Sequence, residues 1–151
     1  MFFAIAKYGG WWYNKCGWEV VPVSASDKAR YWFDLAKEDI EVAQELYNIG
    51  KLLYSGFLCH LAVEKALKAK IEFNGETPLK THNLIRLADI GGVLEKMTDE
   101  QKELLNTLNP LQIEARYPAY KQNAADILSA EDCAEILSQA RRMVLWTETQ
   151  L

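Results

Sequence analysis

Hydrophobic residues recur along most of this chain at three- and four-residue steps, the period of helices buried on one side. From about Lys28 to Asn48 a stripe of Trp32, Leu35, Ala36, Ile40, Ala43, Leu46 and Tyr47 predicts a first long helix, with Asp39 turned outward. Ser26 or Asp27 can cap its start, and Gly50 stops it. The stretch Leu52 to Asn74 reads as the central second helix. Its first half (Leu52, Leu53, Tyr54, Phe57, Leu58, Leu61) is apolar all round and is expected to be buried on several sides. In its second half Ala62, Val63, Ala66, Leu67, Ala69 and Phe73 share one face, while Glu64, Lys65, Lys68 and Glu72 gather opposite them. Glu64 to Lys68 and Lys68 to Glu72 are both favourable pairs at helical spacing, each contributing roughly 0.2 to 0.5 kcal/mol. So short a connection between the two helices makes them an antiparallel hairpin.

Beyond Asn74-Gly75 the elements shorten. Thr81 is placed to cap a third helix that begins His82-Asn83-Leu84 and turns Leu84, Leu87 and Ala88 inward. Gly91-Gly92 interrupts it before Val93, Leu94 and Met97, because each glycine costs a helix about 1 kcal/mol. Thr98-Asp99-Glu100-Gln101 is a capping-box pattern opening a fourth helix, whose stripe is Leu104, Leu108, Leu111 and Ala115. Pro110 lies within that stripe and predicts a kink near residues 106 to 110, with Pro118 marking the exit. Ser129 caps the last helix, where Cys133, Leu137, Ala140 and Val144 form a stripe flanked by Ile136, Met143 and Trp146. The expected fold is all-α, an up-and-down bundle of four long helices plus a shorter fifth, occupying residues 26–151.

Residues 1–25 stand apart. Three of the five Trp and no Asp fall there. Phe2 to Ala6 and Trp18 to Val23 have strand-like composition, with Gly9-Gly10 and Asn14 to Gly17 as turns, so this extension is either a β-hairpin or a loosely packed leader. A two-stranded hairpin is marginal alone and would need cover from the helices or another chain.

A chain of 151 residues can bury a core without staples, and half of its residues are hydrophobic. The net charge of -4 and a pI near 5.3 argue against coating duplex DNA but leave room for a local basic site. Cys16, Cys59 and Cys133 lack the paired spacing of zinc or redox motifs and read as reduced thiols, the last two in the core. Val23-Ser24-Ala25 faintly resembles a signal-peptidase site, but polar residues interrupt the segment before it, and no stretch is apolar enough for a membrane span. These features place the chain in the cytoplasm, without a metal or cofactor.

Three short motifs carry the chemistry. They are Ala62-Val63-Glu64-Lys65-Ala66-Leu67-Lys68-Ala69 on the second helix, Thr81-His82-Asn83-Leu84 at the third, and Ala115-Arg116-Tyr117-Pro118 at the end of the fourth. In this order and spacing they resemble the HEPN family, over roughly Ala29 to Leu145. The resemblance implies a bundle of four long helices with a shorter fifth, commonly dimeric. Many small HEPN proteins are encoded beside a minimal nucleotidyltransferase and bind it, often as toxin and antitoxin. Others are metal-independent ribonucleases that use an Arg with a His roughly four to six residues after it, the imidazole moving the proton. Here the corresponding positions are Lys121, Gln122 and Asn123, and no His follows His82. The chain also carries His60-Leu61 where the family often has paired glutamines.

Lys65, Lys68, His82, Arg116 and Tyr117 are therefore the expected contacts for a nucleotide or RNA phosphate, with no catalytic or metal-binding residue assigned. Each has a plainer reading beside it. Lys65 and Lys68 suit a solvated helix face, His82 suits the bundle as well as a phosphate, and Arg116 could pair with Glu64 while Tyr117 packs its ring. His60, one turn before Glu64, suits an internal hydrogen bond better than a ligand. Two functions follow: a homodimeric binding module that partners a nucleotidyltransferase, or a ribonuclease toxin in which Lys121 is the only basic residue at the right offset from Arg116. A scaffold without ligand is the third.

Overall fold

In a computed structural model of the chain, residues 6–8, 11–13, 24–114 and 127–151 are described. The first six form two strands, β1 (Ala6–Tyr8) and β2 (Trp11–Tyr13), paired antiparallel with Tyr8 opposite Trp11. Gly9-Gly10, expected as a turn, lies outside the described residues. The strands anticipated at Phe2–Ala6 and Trp18–Val23 lie outside the described residues except for Ala6.

Everything else described is helical or connecting. The helices are α1 (Ala25–Asn48), α2 (Leu52–Phe73), α3 (Leu84–Ile90), α4 (Asp99–Glu114) and α5 (Ala130–Glu148), with a single 3-10 turn at Leu94–Lys96. Ser24, not Ser26 or Asp27, caps α1: its hydroxyl accepts from the Asp27 N–H and donates to the Asp27 carboxylate, adding a turn at the start. At the other end Gly50 has φ +74°, the left-handed turn that lets the Lys51 N–H reach back to the Leu46 carbonyl at 2.8 Å. The chain reverses within three residues, and α1 and α2 make the most extensive helix pairing of the fold.

The buried face of α1 is Ala29, Phe33, Ala36, Ile40 and Ala43; Trp32 and Leu35, expected in the core, are half-buried at its edge. Helix α2 departs further from expectation. Leu53, Ser55, Gly56, Cys59 and His60 are buried in its first half, but Tyr54 is 56% exposed and Phe57 and Leu58 are only partly covered. The rod is enclosed more completely in its second half, where Ala62, Val63, Ala66, Leu67, Ala69 and Ile71 have no exposure. Gly56 explains how α2 lies so near α4: a Cβ there would come within 3.0 Å of both Leu111 and Leu128. Ser55 is buried without penalty because its hydroxyl donates to the Ala43 carbonyl at 2.8 Å.

Thr98 and Gln101 form the predicted capping box of α4, each side chain accepting from the other's backbone N–H at 2.9 and 3.2 Å. The helix runs through Pro110 to Glu114 without interruption. Proline leaves the Asn106 carbonyl without its helical donor, and Asn106 is exposed, where water can serve it. Ser129 caps α5 as expected, and Cys133, Ile136, Leu137, Ala140, Met143 and Val144 line its buried side. The four long helices and short α3 are the all-α bundle read from the sequence. No described helix is long and apolar enough to cross a membrane.

Candidate functional site

The centre of the site is Glu64, which sits mid-helix on α2 and is only 5% exposed. A buried carboxylate needs partners, and three cationic or polar side chains surround it. Lys68, one turn later, donates to Oε1 at 2.7 Å. His82, near the end of the α2–α3 connection, donates from Nδ1 to Oε2 at 3.0 Å. His60, one turn earlier and with no exposure, brings Nε2 to 3.3 Å from Oε2, off the alignment of a hydrogen bond. Burial on its own raises the Glu64 carboxyl, but the hydrogen bonds from Lys68 and His82 outweigh it and hold the group down at about 2. Glu64 is an anion fastened into the protein.

Neighbouring helices hold these partners in turn. The other nitrogen of His60, Nδ1, lies 3.1 Å from the Leu108 carbonyl on α4; a carbonyl only accepts, so Nδ1 is the donor. Just before Pro110, Asn109 accepts from the Leu84 N–H at 3.0 Å and ties α4 to the first turn of α3. Asn83 caps that helix through the Arg86 N–H, while Thr81 accepts only from the Asn83 N–H. The cap was therefore expected two residues early, and His82 lies before the helix rather than in its first turn. Lys68 also passes over the half-buried Trp32 ring, 5.8 Å from its centroid, which holds the ammonium from the α1 side.

Lys65 points elsewhere, forming a 2.6 Å ion pair with Asp39 on α1. Asp39, expected to face outward, is partly covered; burial raises its carboxyl above the ordinary value and Lys65 offsets part of the rise. The two pairs are neighbours on α2, and Glu64 adds to the potential felt by Asp39. The expected Lys68 to Glu72 pair does not form: Lys68 turns back to Glu64, and Glu72 lies 3.9 Å from Lys28 on α1. The charged strip of α2 is thus a docking line for α1 and His82 rather than a solvated face.

Of the five expected contact residues, Lys68 and His82 meet on one carboxylate, and Lys65 is adjacent but occupied by Asp39. Arg116 and Tyr117 lie outside the described residues, as does the Arg116 to Glu64 pair. Glu64 as the organising group was missed. Its signal was present in the sequence as His60 and Lys68 placed four residues to either side.

The profile of the HEPN domain matches residues 29–150. The chain belongs to the HEPN family. Two solved structures share this HEPN fold: TT1696 from Thermus thermophilus, with a TM-score of 0.72 and 24% identity over 82% of this chain and 98% of that one, and ST0689, an archaeal HEPN homologue, with a TM-score of 0.63 and 23% identity over 82% of this chain and 97% of that one. No curated protein sequence matches significantly. In this HEPN chain a groove of about 600 Å³ between α4 and α5 contains none of the motif residues with described side chains. Glu100, Glu103, Asp132 and Glu135 line it, the wrong charge for a phosphate. Among the described residues no cluster of His, Cys, Asp and Glu has the form of a metal site.

Proposed function

We propose that this HEPN chain is a binding module that contacts a nucleotide or RNA at Lys68 and His82, with the phosphate on the Lys68 side, and that it acts as a homodimer partnering a minimal nucleotidyltransferase in a toxin–antitoxin type system. One observation carries the ligand site: two segments 14 residues apart in sequence deliver an ammonium and an imidazole to the two oxygens of a single buried carboxylate. Glu64 neutralises the cation in part, but it also preorganises both groups, so that a ligand does not have to order them. Lys65 contributes to the local field from its pair with Asp39. Arg116 and Tyr117 belong to the proposal through their sequence motif alone. A net charge of -4 limits the contact to a short stretch of phosphate instead of a long duplex track.

Self-association is supported by Tyr54, 56% exposed, beside the partly covered Phe57 and Leu58 on the same helix. The partner enzyme is carried by the family resemblance.

The test is fluorescence anisotropy with a short single-stranded RNA at low salt. Lys68→Gln, checked for folding by circular dichroism, should weaken binding roughly tenfold, the worth of a hydrogen bond to a charged group. Absence of binding by the unaltered chain would overturn the reading. The same RNA, incubated without metal, should stay intact; cleavage that Arg116→Ala abolishes would favour the ribonuclease instead.

A further inference from the structure

Glu64 also decides which way the hydrogen-bonding character of His82 faces. An ionised carboxylate accepts hydrogen bonds and cannot donate them, so Nδ1 of His82, 3.0 Å from Oε2, carries the hydrogen. In the neutral ring the opposite nitrogen, Nε2, is then a bare lone pair. The side chain is 57% exposed, and Nε2 lies across the ring from the nitrogen tied to Glu64. A lone pair repels phosphate oxygens and accepts from a hydroxyl. At the other oxygen of the same carboxylate is Lys68, a group that only donates. Cation and lone pair are thus separated by no more than one carboxylate, two hydrogen bonds and the width of a ring, the reach of a pentose phosphate.

We infer that His82 reads a ribose hydroxyl, accepting its hydrogen at Nε2 while the phosphate of the same nucleotide rests on Lys68, so that the site prefers ribonucleotides to their dideoxy analogues. This rests on the nucleotide-binding reading and gives His82 a part distinct from phosphate contact.

The experiment is calorimetric titration of the full chain with adenosine monophosphate and with its 2′,3′-dideoxy analogue at about pH 8. The ribonucleotide should bind roughly three- to tenfold more tightly, the range of one net hydrogen bond. His82→Ala, a change at an exposed position, should bring the ribonucleotide down to the affinity of the analogue. Nitrogen-15 shifts of His82 in the free chain should report the Nδ1–H tautomer. Binding without preference, a preference that survives His82→Ala, or an Nε2–H tautomer would each overturn this inference and leave the nucleotide site standing. No binding of either nucleotide would remove both.

Discussion

Replacing Glu64 by glutamine keeps the shape of the side chain and removes its charge, which isolates the electrostatic part of the cluster. A carboxyl whose ordinary value of 4.5 is brought down to about 2 in the folded chain contributes about 3 kcal/mol to stability. The sign follows from the direction. The folded value is depressed, so the contribution is complete above the unfolded value and is lost as pH falls through the folded one. Glu64→Gln should therefore cost about 3 kcal/mol at pH 7. The difference between the two proteins should shrink between about pH 4.5 and pH 2, to less than half by about pH 3. The wild-type protein loses the charge by protonation over that range, whereas the variant never had it. Urea unfolding of both proteins at several pH values, followed by far-UV circular dichroism, measures this. A cost under about 1 kcal/mol at pH 7 would refute Glu64 as a stabilised anion, as would a gap that stays constant down to about pH 3.

Three further outcomes are expected. Burial pushes the Cys59 thiol up to about 12, with Cys133 adding to the rise, and burial raises Cys133 as well; iodoacetamide should label neither in the native chain and both in denaturant, as read by mass spectrometry. Thr98→Ala removes the acceptor of the Gln101 N–H and should lower stability by about 1 kcal/mol in urea unfolding. In light scattering at micromolar concentration the unaltered chain should be a dimer, and Tyr54→Lys should shift it towards monomer without loss of helicity; a monomeric wild type would remove the self-association proposal.

Periodicity made the helices legible, because one-sided burial leaves a repeat that survives in the sequence. What it could not supply was the rotation of each helix about its axis. On α1 the buried line runs through Ala29 and Phe33, so the Trp32 and Leu35 expected at its centre lie at its margin. On α2 an apolar run all round implied cover on every side, yet Tyr54 faces out, since cover depends on which neighbours arrive and not on the run itself. The same limit applies to the site. The Glu64 to Lys68 pair is local and was readable from spacing, but Lys68 had a second carboxylate, Glu72, at equal spacing, and the choice between them was made by His82 and α1. His82 reaches Glu64 from 18 residues away, a meeting that no helical repeat encodes. Its motif resemblance pointed to it; its partner came only from the fold. Ser24 and Asn83 replaced the caps expected at Ser26 or Asp27 and at Thr81, each within two or three residues, the ordinary slack of a helix end.

The most direct test of the central claim is chemical-shift mapping of the nitrogen-15-labelled full chain during titration with adenosine monophosphate. The perturbed resonances should centre on Lys68, His82 and their neighbours Glu64 and Trp32. Perturbation centred on the acidic groove between α4 and α5, or none at millimolar nucleotide, would contradict it.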